Sequence, residues 1–193
     1  KYEYHPILVA LSVEEQEEYR AYTRKIAVLF SSDDPYKQEK QQALANQRAI
    51  IVKQAKNKIP EFKKLINSFP EDLAYCLVYC DETEQLNDVA DVLCRKGYFV
   101  GKFTGNEDKK TREKLLASFE SGDLQCLVSM KCLDEGVDIP DARIGIILAS
   151  TGNERQFIQR RGRLLRNSEG KEKAVIFDFV VTGGEQPLSE DSV

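Results

Sequence analysis

Short apolar segments alternate with amphipathic segments of about a dozen residues from residue 73 onwards. We predict strands at Leu73–Cys80, Tyr98–Phe103, Leu124–Ser129, Arg143–Ala149 and Ala174–Val180. The predicted helices between them are Glu84–Lys96, Glu107–Glu120 and Glu154–Leu165. Strands that alternate with helices of this length form a parallel sheet, because right-handed crossovers return the chain to the same edge. The sequence therefore predicts an α/β fold with a parallel sheet of about five or six strands flanked by helices.

The first 70 residues are dense in Glu, Gln and Lys and contain one strand-like apolar segment, Ile7–Leu11. Ser12 and Glu15 have the spacing of a capping box, in which each side chain accepts from the other residue's backbone N–H. Two predicted helices run from Val13 to about Phe30 and from about Tyr36 to Lys58. A short third helix is predicted to begin at Pro60, which is favourable in a first turn. We expect a helical linker or extension at 1–70, the α/β domain at 71–182 and a flexible tail at 183–193.

Composition excludes several classes of protein. The net charge of −4 argues against a chain that is basic throughout, although a local basic patch can still bind nucleic acid. No apolar run approaches the roughly 18 residues that span a bilayer, and no signal peptide is recognisable, so we expect no membrane partner.

The five cysteines and the single histidine lack the spacing of a zinc site. We therefore expect no metal site and reduced thiols, as in a cytoplasmic protein or, in a eukaryote, a nuclear one. The chain begins at Lys1 and its single methionine is Met130, so we expect it to be a piece of a longer protein.

A cluster of arginines follows the fourth predicted strand. It comprises Arg155, Arg160, Arg161, Arg163 and Arg166. On a helix, Phe157 and Leu164 fall in an apolar stripe, whereas Gln159, Arg163 and Arg166 fall on another face. Arginine suits phosphate binding, because its planar fork stays charged and donates two hydrogen bonds at once. The alternative is a solvated basic face, which composition alone would favour.

The sequence Q-R-R-G-R-L-L-R at 159–166 resembles motif VI of superfamily 2 helicases, and D-E-G-V-D-I-P at 134–140 resembles motif V. The longer stretch 133–166 is similar to XPB-type DNA helicases and restriction-enzyme motors. The resemblance implies the second, C-terminal RecA-like domain of such a motor. It also implies that Arg163 and Arg166 are arginine fingers and that Gln159 belongs to the network around the γ-phosphate.

The motif V segment is the second part of the implied ATP site. By the resemblance, Glu135, Gly136 and Asp138 bind the nucleotide, with glycine allowing close backbone approach and Asp138 contacting the ribose or the phosphates. An acidic turn ended by Pro140 is the alternative, and on the residues alone it is the better interpretation.

The resemblance also implies nucleic-acid contacts at Thr104, Ser129, Lys131 and Asp81. An ordinary turn explains Thr104 nearly as well. The strand that ends at Asp81-Glu82 mimics a Walker B motif, but the sequence contains no Walker A motif to accompany it. The simpler interpretation is that Asp81 or Thr83 caps the next helix.

The resemblance implies a complete reaction scheme. ATP and Mg²⁺ would bind between this domain and a first RecA-like domain, which would hold most of the metal's ligands. DNA is the expected partner, with RNA as the alternative, and the isolated chain would be inactive. Two hypotheses of other classes stay open: a binding module without activity, and a small-molecule enzyme with its site at the strand ends.

Overall fold

The computed structural model describes residues 2–29, 34–130, 142–150 and 174–182 of the chain. The elements are, in chain order, β1 (Tyr2–Ala10), α1 (Val13–Leu29), α2 (Pro35–Lys53), α3 (Lys58–Asn67), β2 (Cys76–Tyr79), α4 (Thr83–Arg95), β3 (Val100–Phe103), α5 (Lys109–Glu120), β4 (Cys126–Ser129), β5 (Ile144–Ile147) and β6 (Ala174–Thr182). The strands form one six-stranded sheet in the order β1-β6-β5-β2-β4-β3. All of its pairings are parallel, which confirms the predicted fold class.

Alternate residues of the central strands enter two apolar layers. Cys76 and Val78 of β2 belong to the layer that also contains Phe62 of α3 and Leu86 of α4. Leu77 and Tyr79 of the same strand belong to the other layer, with Phe119 of α5. Successive strand residues point to opposite faces of a sheet, so the helices cover both faces. Apolar residues on both faces explain why these strands read as continuous apolar runs.

Helix α1 begins where the sequence predicted. The backbone N–H of Ser12 donates to Glu15 Oε2 at 2.8 Å, and the backbone N–H of Glu15 donates to Ser12 Oγ at 3.2 Å. These two bonds satisfy N–H groups that the first turn leaves without helical partners. The predicted capping box is confirmed.

Helix α2 ends earlier than predicted. It stops at Lys53 rather than at Lys58, and Lys58 instead begins α3. The break turns Lys58 into the protein interior, where its side chain is fully buried. The ammonium group donates to the carbonyl oxygens of Lys53 and Leu148 at 3.1 and 2.5 Å. Lys58 could not make these contacts from the middle of an exposed helix. The prediction was wrong because it treated Lys58 as a residue of such a helix.

Strand β1 is longer than the predicted segment Ile7–Leu11. It pairs with β6 along nine residues, from Tyr2 opposite Ala174 to Ala10 opposite Thr182. The sequence pattern did not predict its first half, which contains polar residues and Pro6. An edge strand tolerates such residues because it has a partner strand on one side only. The sheet thus includes a strand from the segment assigned to the extension, whose predicted boundary at residue 70 stays a prediction.

Among the helices that the structure describes, none combines the length and the apolar character needed to cross a membrane.

Candidate functional site at the carboxyl edge of the sheet

Three of the predicted nucleic-acid residues meet at one edge of the sheet. Ser129 is the last residue of β4, and it lies opposite Phe103 of β3 and Tyr79 of β2. Thr104 directly follows β3, and Asp81 follows β2 after one residue. All three strands run in the same direction, so these residues lie at the carboxyl edge, where open parallel sheets place their ligands.

The side chain of Thr104 is held by a residue that the sequence analysis missed, Glu107. The hydroxyl of Thr104 donates to Glu107 Oε1 at 2.6 Å, and its backbone N–H donates to Oε1 at 2.9 Å and to Oε2 at 3.1 Å. The backbone N–H of Gly105 adds a bond of 2.8 Å to Oε2. The signal in the sequence was the T-x-x-E spacing, although Asp108 rather than Thr104 is the N-cap of α5.

These hydrogen bonds have an electrostatic consequence for Glu107. Burial acts to raise the pKa of the carboxyl group, but the bonds from Thr104 and Gly105 outweigh it and hold the pKa below its ordinary value. Glu107 is therefore an anion at neutral pH.

Arg112, in α5, also holds this loop. Its Nη2 donates to the carbonyl oxygen of Gly105, and its guanidinium lies 5.8 Å from the centre of the Phe103 ring. The Nε atom of Arg112 is buried and has no hydrogen-bond partner among the residues that the structure describes. The loop 104–107 is thus held by its own carboxylate, from Glu107, and by the guanidinium of Arg112.

Asp81 faces helix α2 rather than capping the next helix. Its Oδ1 lies 3.4 Å from the Nζ of Lys53, and its side chain is only 5% exposed. Its backbone N–H donates to Gln85 Oε1 at 2.9 Å. The N-cap of α4 is Glu82, which makes no side-chain capping bond, and the Thr83 hydroxyl lies against the sulfur of Met130 at 3.6 Å. The predicted capping by Asp81 or Thr83 is therefore wrong, because the chain turns into the helix one residue after Asp81.

Ser129 is fully buried, and its hydroxyl donates to the carbonyl oxygen of Met130 at 2.9 Å. The predicted contacts of Thr104, Ser129 and Asp81 with nucleic acid stay predictions. The other predicted site residues lie outside the described part of the chain: Lys131, Glu135, Gly136, Asp138, Gln159, Arg163 and Arg166.

Lys58 is a second group that sequence reasoning missed. Burial lowers the pKa of its ammonium to about 8, although Asp178 and Asp81 act in the opposite direction. Asp178, in β6, is itself buried and accepts a hydrogen bond of 2.9 Å from the hydroxyl of Tyr4. No local signal marks Lys58, because it lies in a charged stretch that resembles a solvated helix face.

Within the described ranges, no group of three His, Cys, Asp or Glu side chains is arranged to hold a metal ion. Four cysteines in the same ranges are free thiols, and Cys76, Cys80 and Cys126 are buried.

Comparison with known proteins assigns this domain to a family. Residues 39–168 match the family described as helicase conserved C-terminal domain. The chain belongs to this family. It is the C-terminal RecA-like domain of a superfamily 2 helicase, as the resemblance of motifs V and VI implied.

Two curated relatives of the helicase domain illustrate the match. The DNA 3'-5' translocase XPB2 of Sulfurisphaera tokodaii is 27% identical over 202 residues, which cover 95% of this chain and 44% of the relative. A putative DNA 3'-5' helicase Rad25 of Haloarcula marismortui is 32% identical over 111 residues, which cover 56% of this chain and 17% of the relative. The chain thus spans less than half the length of these relatives.

Solved structures show the same fold as the helicase domain. The C-terminal part of the Fun30 ATPase domain superposes with a TM-score of 0.67 at 13% identity, covering 98% of this chain and 90% of that one. The Sulfolobus solfataricus SWI2/SNF2 ATPase C-terminal domain also gives 0.67, at 10% identity, covering 95% of this chain and 81% of that one. At these identities the likeness concerns the fold alone.

Proposed function

We propose that this chain is the second motor domain of an ATP-dependent DNA translocase or helicase, with ATP bound between it and a first RecA-like domain. One observation carries the proposal. The predicted ATP-binding segment, 134–140, begins four residues after Met130 and the predicted arginine segment begins five residues after Ser150, and each follows a strand that ends at the carboxyl edge. Thr104 and Asp81 follow strands that end at the same edge. A nucleotide and a nucleic-acid strand could therefore both be held along this edge.

In the proposed cycle, Arg163 and Arg166 neutralise the charge that develops on the γ-phosphate during hydrolysis. Arginines in this role raise rates by about 10³–10⁵. Gln159 orders the same network, while Glu135 and Asp138 contact the nucleotide, with the Gly136 backbone close by. Mg²⁺ would be held mainly by residues of the first domain and would neutralise part of the charge on the phosphates.

Closure of the two domains on ATP and their reopening after hydrolysis would move the nucleic acid in steps, as gated closure does in other motors. DNA is the favoured track, because the relatives XPB2 and Rad25 are named as acting on DNA. RNA is the alternative, because an ATP-dependent RNA helicase, DBP2 of Encephalitozoon cuniculi, also matches at 27% identity over 92 residues. Among the residues implied by resemblance, Thr104 and Lys131 would meet the strand backbone, with Asp81 beside them. Ser129 would join them only if its hydroxyl left the carbonyl oxygen of Met130 and became exposed.

The test is the substitution Arg163→Ala in the full-length protein. We expect DNA-stimulated ATP hydrolysis to fall by about 10³-fold or more while DNA affinity is largely kept. The matched control is Arg95→Ala, because Arg95 is an exposed arginine in the last turn of α4 and the carboxyl end of that helix lies at the opposite edge of the sheet. A variant that hydrolyses ATP normally but loses DNA would support a binding module instead. Turnover of a small molecule by this chain alone would support an independent enzyme.

A further inference from the structure

The loop after β3 holds three hydrogen-bond donors that converge on one anionic group. They are the backbone N–H groups of Thr104 and Gly105 and the hydroxyl of Thr104, which together we call the Thr104 nest. Gly105 has a φ of +92°, the left-handed conformation that lets successive N–H groups face the same point. Concave arrangements of this kind bind anions, phosphate groups above all. In this structure the anion is the carboxylate of Glu107.

One cation, Arg112, contacts the Thr104 nest, and the start of α5 adds residues of both charges, including Asp108 and the Lys109–Glu113 pair. Arg112 contacts the backbone of Gly105, and its buried Nε–H has no acceptor among the described residues. Arg112 therefore keeps one donor, besides its bond to Gly105, that a further acceptor could use. Lys109 and Lys110, in the first turn of α5, are exposed nearby in sequence. A phosphodiester in the Thr104 nest would therefore lie close to the guanidinium of Arg112.

The Thr104 nest also lies where a strand of nucleic acid is expected. Thr104 follows Phe103, whose carbonyl oxygen accepts a hydrogen bond of 3.2 Å from the backbone N–H of Met130 at the end of β4. The loop is thereby fixed to the carboxyl edge, beside the strand that leads to the predicted ATP-binding segment. A carboxylate and a phosphate present similar pairs of oxygen atoms, so the two can compete for the same donors.

We propose that Glu107 is an internal competitor for the Thr104 nest and that a phosphate group of the bound nucleic acid displaces it. The inference rests on the proposed function and adds a regulatory element to it. In the free protein the carboxylate satisfies the donors and keeps the loop ordered. Binding must first release it, so the nest discriminates against weakly bound anions and accepts a phosphate only when the rest of the strand also binds.

The first experiment measures the affinity of the full-length protein, without ATP, for a short single-stranded thymidine oligonucleotide. Glu107→Gln keeps the size of the side chain but weakens its hold on the nest, so we expect affinity to rise by about three- to tenfold. The matched control is Glu120→Gln, which removes the same charge from an exposed position in the last turn of α5, at the other end of that helix. We expect the control to change affinity by less than about twofold. An equal rise in both variants would mean general electrostatics and would overturn the proposal.

A second variant tests whether the rise in oligonucleotide affinity depends on the donors of the Thr104 nest. Thr104→Val removes the hydroxyl, one of the three donors, so adding it to Glu107→Gln should reduce the gain in affinity, which a double-mutant cycle measures. The amide signals of Thr104 and Gly105 provide a readout independent of affinity. They should shift on oligonucleotide binding in the wild type, and at lower oligonucleotide concentration in Glu107→Gln. Saturating oligonucleotide that leaves both signals unmoved would rule the competition out, even if a variant were destabilised.

The proposal and the proposed function can fail separately. The competition is measured as nucleic-acid binding without ATP, whereas the motor assignment depends on the loss of hydrolysis in Arg163→Ala. Loss of hydrolysis with no effect of Glu107→Gln would sink the competitor alone. Normal hydrolysis in Arg163→Ala together with the expected gain in Glu107→Gln would sink the motor assignment alone.

Discussion

The ammonium group of Lys58 donates a hydrogen bond of 2.5 Å to the carbonyl oxygen of Leu148, 90 positions further along the chain. Leu148 directly follows β5, the strand that precedes the predicted arginine segment. Lys58 begins α3 and also bonds the carbonyl oxygen of Lys53, the last residue of α2. One buried cation thus joins the junction of two helices to the carboxyl edge of the sheet.

We predict that Lys58→Met destabilises the domain by about 2–4 kcal/mol at neutral pH. The substitution keeps the length of the side chain but leaves two carbonyl oxygens without their donor, and it removes the buried cation near Asp178 and Asp81. Urea unfolding followed by circular dichroism measures the change. Lys63→Met, at an exposed position on α3, is the control and should change stability by less than about 0.5 kcal/mol. Equal effects of the two substitutions would show that Lys58 contributes nothing specific.

The lowered pKa of Lys58 predicts a particular dependence of stability on pH. Its pKa is about 8 in the folded protein and 10.5 in the unfolded reference, so the unfolded chain binds more protons between these values. The contribution of Lys58 to the free energy of unfolding must therefore rise with pH across this window and stay constant below it. The full rise is about 3 kcal/mol. The measurement is the difference between wild type and Lys58→Met across this range, because the ionisation of thiols on unfolding contributes in both proteins. A hydrogen bond with Cys126 and burial raise the pKa of the Cys76 thiol, and burial raises the pKa of the Cys80 thiol. A difference that does not change with pH would contradict the assignment.

The sequence was sufficient to predict the sheet but not all of its members. Short apolar runs such as Cys76–Tyr79 are buried on both faces, so their composition alone indicates central parallel strands. Strand β1 escaped full prediction because an edge strand is only partly buried and its amino-terminal half is polar. The predicted α2 was too long because the sequence around Lys58 is typical of a solvated helix face. The contact of Lys58 with Leu148, directly after β5, is visible only in the folded structure. The sequence pattern of a segment predicted its secondary structure correctly where neighbouring residues determine it. The bounds of β1 and α2 were predicted wrongly because contacts with elements distant in the chain determine them.

The same distinction applies to the site. The positions of Thr104 and Asp81 at one edge follow from predicted strand ends in a parallel sheet. The partners of these two residues could not be predicted in this way. Lys53, for example, contacts Asp81 from a helix 28 positions earlier in the chain. Glu107 lies close to Thr104 in sequence, but the spacing alone could not distinguish a helix cap from an occupied anion nest. Partners that depend on packing therefore required the structure.

The capping box of α1 predicts a difference between two similar substitutions. Ser12→Ala removes a hydroxyl that accepts from the backbone N–H of Glu15, and we expect a loss of about 1 kcal/mol. Thr83→Ala removes a hydroxyl at the start of α4 that caps no backbone group, and we expect a loss below about 0.5 kcal/mol. Thermal unfolding of both variants measures the difference. A larger loss in Thr83→Ala would restore the capping role that the structure rejects.

Gly101 lies at a tightly packed point of β3, the strand that leads directly to the Thr104 nest. A Cβ atom added at Gly101 would lie 2.8 Å from Leu124 Cδ1 and 3.1 Å from Leu127 Cδ1. Gly101→Ala should therefore cost about 1–3 kcal/mol, because the strand or the leucines must move.

The same packing provides an internal control for this prediction. Leu124→Ala removes the atom closest to the added methyl group, so Gly101→Ala should cost clearly less in that background. Chemical unfolding of the four proteins of the cycle gives this coupling energy. A cost that is unchanged in the Leu124→Ala background would show that the penalty comes from the backbone of β3 rather than from the contact. Because Thr104 directly follows β3, the amide signal of Gly105 should shift in Gly101→Ala and return towards its wild-type position in the double variant.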